Sequence, residues 1–184
     1  MSDFKKCVEF VLKNEGGFTV DTGGATNFGI TAKYLMANRL WKYDLSKDGY
    51  IDQSEMKRFS KDDAISVYEK LFSFNYYNKI NSDDIAMRVF DMCVNAGGII
   101  ANKMLQCCCN DMKAYDKDGR TYDVLFIDGI LGKQTIFFIN KLTNPDDLIS
   151  KYKKARAKYY TALSESNPGK YGKYLKGWLK RTQR

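Results

Sequence analysis

Histidine is absent from the 184 residues of this chain. That absence removes Ser-His-Asp and Cys-His nucleophiles, histidine-ligated zinc and most imidazole proton transfer. An enzyme built from this sequence has to move protons with carboxylates. Long apolar runs are missing too, since none approaches the ~20 residues that a membrane-spanning helix needs. The N-terminal Met-Ser-Asp-Phe-Lys-Lys segment has neither the apolar stretch nor the small-residue cleavage site of a signal peptide. The expectation is a monomer made in the cytoplasm without stable membrane insertion. A disulfide framework is also lacking. The five cysteines are odd in number, and three are consecutive, Cys107, Cys108 and Cys109. Neighbouring helix positions point about 100° apart, so these three cannot converge on one metal, and buried reduced thiols are expected.

What is present suffices for a folded domain: 44% of the residues are hydrophobic and 14% aromatic. The net charge of +8 favours an anionic partner, which includes nucleic acid, anionic lipid and the acidic polymers of a bacterial envelope. The 22 acidic residues are spread throughout the chain, which argues against nucleic acid.

The apolar periodicity is helical almost everywhere. Phe4, Cys7, Val8, Val11 and Leu12 share one face of a first helix that Gly16-Gly17 stops. Residues 18–30 are rich in Gly, Thr and Val and predict a short β-hairpin or an irregular loop. Further helices are predicted from Thr31, from the capping box Ser60 to Asp63, from Ser82 and from Gly98 to about Lys113. Asp116 to Tyr122 reads as a charged turn. Gly132 opens a short helix, and the only two prolines, Pro145 and Pro168, introduce the last two. The fold class expected is mainly α.

Glu15 is the leading catalytic candidate. It lies eleven residues beyond Phe4, and eleven steps of 100° return to within about 20° of the same helical face. The carboxylate thus extends the apolar stripe at the helix C-terminus. Desolvation and the helix dipole there are both expected to favour the protonated form that a glycosidase acid needs. Glu15-Gly-Gly-Phe leads into Asp21-Thr-Gly-Gly-Ala-Thr-Asn-Phe-Gly-Ile-Thr31, whose glycines suggest backbone packed close against a ligand.

These residues resemble glycoside hydrolase family 108, lysozyme-like muramidases of phages and bacteria that carry E-G-G followed by D-P-G-G-x-T-x-x-G-I-T. The similarity continues through Phe90-Asp-Met-Cys-Val-Asn-Ala-Gly97, Leu105-Gln106 and Asp128-Gly-Ile-Leu-Gly-Lys-Gln-Thr135. It ends with Gly177-Trp178 and Arg181. The resemblance implies a lysozyme-like helical fold with a small β-hairpin near the active site. It also implies that Glu15 protonates the glycosidic oxygen between N-acetylmuramic acid and N-acetylglucosamine. Thr26 would orient water, and Asp21 would act as base or stabilise oxocarbenium charge. Asn27, Asn95 and Gln106 would bind substrate. The stretch before Asp21 is shorter than in the family, and Thr22 replaces the proline, so a turn role for Asp21 stays open.

A second pattern is independent of that resemblance. Asp44, Ser46, Asp48, Asp52 and Glu55 fall at positions 1, 3, 5, 9 and 12 of an EF-hand loop. Gly49 takes position 6, and Tyr50 offers its carbonyl at position 7. Structural Ca²⁺ is expected there, the alternative being a loop that keeps the turn without the ion. The segment Asp128 to Thr135 is similar to the turn-to-helix signature of small peptidoglycan-binding modules, or is an architectural turn. The organisation expected is a catalytic region over residues 1–95 and a helical peptidoglycan-binding region over 96–184. Two other functions remain: a lytic transglycosylase, which also needs one Glu, and a non-catalytic calcium-dependent wall binder. A muramidase without a signal peptide would reach the wall after holin-type release.

Overall fold

A computed structural model of the chain describes residues 1–21, 23–112 and 124–184. Thr22, the Asp116–Tyr122 turn and the expected helix end at Lys113 lie outside them. The described chain is mainly helical, with one small antiparallel sheet, and adopts a lysozyme-like fold.

Helix α1 covers Phe4–Leu12 and buries Cys7, Val8 and Val11, the stripe read from the sequence. Asp3 caps it, accepting the Lys5 amide. The helix closes earlier than expected. Lys13 is its C-cap, and the Asn14 amide reaches Val11 O at 2.8 Å to start a turn.

Residues 18–31 form three strands, β1 (Thr19–Asp21), β2 (Gly24–Asn27) and β3 (Ile30–Thr31), in the order β1-β2-β3. Thr26 faces Thr19 on one side and Thr31 on the other. The β2–β3 connection is the two-residue turn Phe28-Gly29, with φ of 48° and 77°. Two consecutive positive φ values suit the twist of a tight hairpin. A bulky Phe in the left-handed region is unfavourable, and the Tyr68 hydroxyl holds it there by donating to Phe28 O at 2.7 Å.

The remaining helices are α2 (Ala32–Ala37), α3 (Gln53–Arg58), α4 (Lys61–Phe74), α5 (Asp83–Ala96), α6 (Gly98–Asn110), α7 (Lys133–Lys141), α8 (Pro145–Ser166) and α9 (Pro168–Gln183). The predicted caps form. Ser60 Oγ accepts the Asp63 amide while Asp63 Oδ2 accepts that of Ser60, and Ser82 Oγ accepts the Ile85 amide. Both prolines sit in the first turns of α8 and α9, where a missing N–H costs nothing.

Helix α5 is the central rod, packed against α1, α6 and α8. Phe72, Tyr68 and Tyr77 pack edge-on or tilted around its Phe90, at ring separations of 5.1–6.0 Å. Cys7, Cys93, Cys108 and Cys109 are buried free thiols as expected, whereas Cys107 is exposed. Burial pushes the thiols of Cys7 and Cys108 up to about 12 and that of Cys93 to about 11, which keeps them inert near neutral pH.

Candidate active site

The turn after α1 carries Glu15 out of the helical register, so its position owes nothing to a helix end. Its side chain is 15% exposed, and Oε1 accepts a hydrogen bond from Arg181 Nη2 at 2.7 Å. The expectation of a helix-terminal setting is therefore corrected, while the apolar stripe of α1 still lines the recess that Glu15 enters. The chain leaves the helix at Lys13, and the group facing Glu15 is a guanidinium from α9.

Arg181 is itself anchored. Its Nε donates to both oxygens of Asp91 at 3.0 Å, and Arg156 Nη2 reaches Asp91 Oδ2 at 2.6 Å. Asp91 is 0% exposed and Arg156 1%, and Asn14 adds a donor to Asp91 at 3.2 Å. Two carboxylates and two guanidinium groups thus alternate in one chain, Glu15–Arg181–Asp91–Arg156, with formal charges that cancel. Burial opposes the charge on Arg181, but hydrogen bonds to Asp91 and the charges of Asp91 and Glu15 outweigh it and raise its affinity for the proton. Burying such ions is tolerated because each finds a partner; removing one leaves the rest uncompensated.

The other face of Glu15 meets the β2–β3 turn. A Cβ on Gly29 would stand 2.5 Å from Glu15 Oε2 and 2.7 Å from Tyr68 Oη. Only glycine fits there, for space and for its φ of 77°. Burial raises the Tyr68 phenol well above its usual range, and the charge of Glu15 adds to the shift. The hydroxyl is therefore a fixed donor to Phe28 O.

One recess contains this carboxylate, and two others are lined by residues that touch it. One of about 750 Å³ is lined by Glu15 itself with Phe4, Val8, Leu12, Phe28 and Ile65. One of about 300 Å³ is lined by Gly29 together with Thr31, Tyr34 and Tyr68. The third, of about 400 Å³, is lined by Arg181, Asn14 and Asn95.

The remaining candidates divide sharply. Thr26 is half-buried on β2, and the alternation of the strand turns it to the face opposite buried Ala25 and Asn27. The exposed Asp21 uses Oδ1 to accept the Gly23 amide at 2.7 Å, the job of a turn residue. Asn27 is corrected as a substrate ligand. It is 5% exposed, and its amide nitrogen is spent on the carbonyls of Met56 and Phe59. Gln106 is corrected likewise, being 1% exposed and clasping the 128–130 turn through Asp128, Gly129 and Ile130. That turn is architectural, with Gly129 at φ 85° and its carbonyl held by Asn102. Asn95 is exposed and stays at the site.

Asp91, Arg156, Gly29 and Tyr68 carried no assigned role in the sequence reading. The clearest signal was spacing: Arg156 lies four residues from both Tyr152 and Tyr160, on the buried stripe of α8.

In the Asp44–Glu55 loop backbone amides occupy the carboxylates. No group of three or more Asp, Glu, Cys or His converges on a common point among the described residues. Glu55 Oε1 accepts the amides of Leu45 and Ser46, while Asp44 accepts those of Lys47, Asp48 and Gly49. Asp52 and Glu55 form the capping box of α3, and Ser46, Asp48 and Tyr50 are exposed at the rim. Hydrogen bonds from backbone amides hold the carboxyls of Asp52 and Glu55 below their usual values.

Comparison with known proteins agrees with this geometry. Residues 8–97 match the family model for glycosyl hydrolase 108. The first half of the chain is thus similar to a glycosyl hydrolase 108 domain. Residues 100–183 match the family described as "Predicted Peptidoglycan domain". The structure of Brucella abortus SagA resembles this one with a TM-score of 0.68 and 28% identity, covering 98% of this chain and 90% of that one. No curated protein matches the sequence. The two family matches together make the chain a glycosidase that degrades peptidoglycan. Among the described residues no helix is long and apolar enough to cross a membrane.

Proposed function

We propose that the chain is a muramidase, hydrolysing the β-1,4 bond between N-acetylmuramic acid and N-acetylglucosamine with Glu15 as general acid. The observation that carries this is the carboxylate pinned by Arg181 in the wall of a recess of about 750 Å³, within the residues that match glycosyl hydrolase 108. A guanidinium only donates hydrogen bonds, so the Glu15 oxygen facing Arg181 is committed as acceptor. The proton to be delivered then belongs on Oε2, the oxygen beside the Phe28-Gly29 turn. Proton donation to the leaving oxygen cleaves the bond as oxocarbenium charge develops, and water completes hydrolysis. Thr26, turned away from the core, orients that water, and Asn95 binds the glycan. Asp21 serves the hairpin turn.

The test is a zymogram on purified peptidoglycan with the parent chain and Glu15→Gln. Clearing by the parent alone supports the assignment; clearing by both overturns it. Mass spectrometry of the products separates hydrolysis, with reducing ends, from lytic transglycosylation, with 1,6-anhydro ends.

Calcium at the Asp44–Glu55 loop is a separate proposal, favoured by the match of every ligand position in the sequence. It requires Glu55 to exchange the amides of Leu45 and Ser46 for the ion. A melting temperature that rises with CaCl₂ and falls with EGTA supports it, and identical melting in both sinks it.

A further inference from the structure

The recess on the Arg181 side of the site has an unusual charge balance. Its cationic lining comprises Lys13 from the turn after α1 and Lys173, Lys180, Arg181 and Arg184 from the last helix and its end, and no Asp or Glu lines it. Helix α9 carries five Lys or Arg and no acidic residue. Arg181 is committed to Glu15 and Asp91, but Lys13, Lys173, Lys180 and Arg184 have no acidic partner within 4.0 Å among the described residues. The Arg184 guanidinium donates to the neutral carboxamide of Asn14. Cations gathered in one concavity repel each other and focus a positive potential into it, which an incoming anion relieves.

The recess also has an aromatic side. Trp178 is stacked on Tyr160 at 5.0 Å, which fixes its ring, and Tyr174 lies 5.6 Å from it, 42% exposed. A fixed indole beside an exposed phenol is a platform for a sugar ring, with cations within reach. The recess shares Lys13 with the Glu15 groove, and its Arg181 touches Glu15. The two recesses are therefore neighbours, joined by Lys13 and by the Arg181–Glu15 contact.

We infer that this recess is the subsite for the carboxylate-bearing peptide stem of the glycan, and that it makes the chain select stem-substituted glycan over neutral N-acetylglucosamine polymers. The inference rests on the reading of Glu15 as the acid that cuts peptidoglycan. N-acetylmuramic acid differs from N-acetylglucosamine by a lactyl ether, through which it carries the peptide stem and its carboxylates, and the cations of α9 are the groups that would distinguish the two. Their contribution is electrostatic and weakens with salt.

The test uses the full-length chain carrying Glu15→Gln, so that ligands bind without being consumed. Calorimetry compares a disaccharide-peptide fragment of peptidoglycan with neutral chitotriose. The expected result is tighter binding of the disaccharide-peptide by about tenfold or more, with affinity falling as salt rises. Adding Lys173→Glu and Lys180→Glu erases that preference while leaving chitotriose within about twofold. Lys173→Arg with Lys180→Arg keeps it. Both residues are exposed, so unchanged circular dichroism is expected and serves as the control. Equal affinity for the two ligands, no binding of the disaccharide-peptide, or equal loss of both ligands in the charge-reversed variant overturns the inference. A short DNA duplex that outcompetes the disaccharide-peptide reassigns the recess to nucleic acid and also overturns it. Failure here leaves the zymogram result intact, because the parent chain and Glu15→Gln are compared there with α9 unchanged.

Discussion

Glu15 and Glu55 are both acidic side chains that the sequence marks for a role, yet the fold satisfies them in opposite ways. Glu55 is served by its own neighbourhood: the amides of Leu45, Ser46 and Asp52 lie within ten residues of it. Glu15 takes its charged partner from Arg181, 166 positions away, which is anchored in turn by Asp91. A loop that satisfies its carboxylates with its own backbone is a stable turn and need not hold anything else. A carboxylate satisfied only by distant side chains depends on the whole fold, and its reactivity can be set by that fold. The loop can therefore be understood from its own segment, whereas the Glu15 site needs the long-range network beside its recess.

The comparison can be broken in four places. The largest effect is expected from Glu15→Gln, a loss of roughly 10²–10⁴ in turnover on peptidoglycan, with a smaller loss of stability than Asp91→Ala because Arg181 keeps Asp91. A loss under about tenfold would remove Glu15 from the chemistry. Next is Asp91→Ala, which strands two guanidinium groups in the interior. Destabilisation of about 3–5 kcal/mol is expected in urea melts, with lost activity even where the chain stays folded. A change below about 1 kcal/mol would show that the network is not what joins α5, α8 and α9.

Gly29→Ala comes third. It forces a left-handed φ on a residue with a Cβ and pushes that Cβ into Glu15, at a cost of about 1–3 kcal/mol. Activity should fall more than stability, because Glu15 and Tyr68 are the atoms that must move. The smallest effect belongs to the loop. Asp52→Ala removes the cap of α3 and should cost about 0.5–2 kcal/mol, without affecting turnover. Its pH dependence has a definite sign. Asp52 and Glu55 have lowered folded values, so their stabilisation is present above the ordinary carboxylate range of about 4. It is lost as pH falls through the folded values, and Asp52→Ala should flatten that part of an acid melt. An acid limb identical to the parent's would contradict it.

Much of the architecture was legible because the relevant signals are local. The stripe of α1, the capping box at Ser60 and the prolines opening α8 and α9 each depend on residues within one or two turns. The site was legible only in part. Glu15 stood out; Thr26 lies half-buried on β2, and Asn95 lines the recess of Arg181. Asn27 and Gln106 looked like exposed polar ligands because sequence spacing does not reveal which way a carboxamide turns. Both are interior fasteners, one joining the sheet to α3 and the other holding the turn before α7.

The sequence by itself determined that proton transfer falls to carboxylates, since it contains no histidine, and that the chain is helical around a short β segment. It also singled out Glu15, through the glycine-rich stretch that follows. Only the tertiary structure decided what Glu15 faces. Helical phase predicts the side of a helix on which a residue lies, but Glu15 sits beyond the last helical turn, where phase no longer applies. Its environment is made by Arg181, Gly29 and Tyr68, three residues brought together by packing that no local pattern encodes.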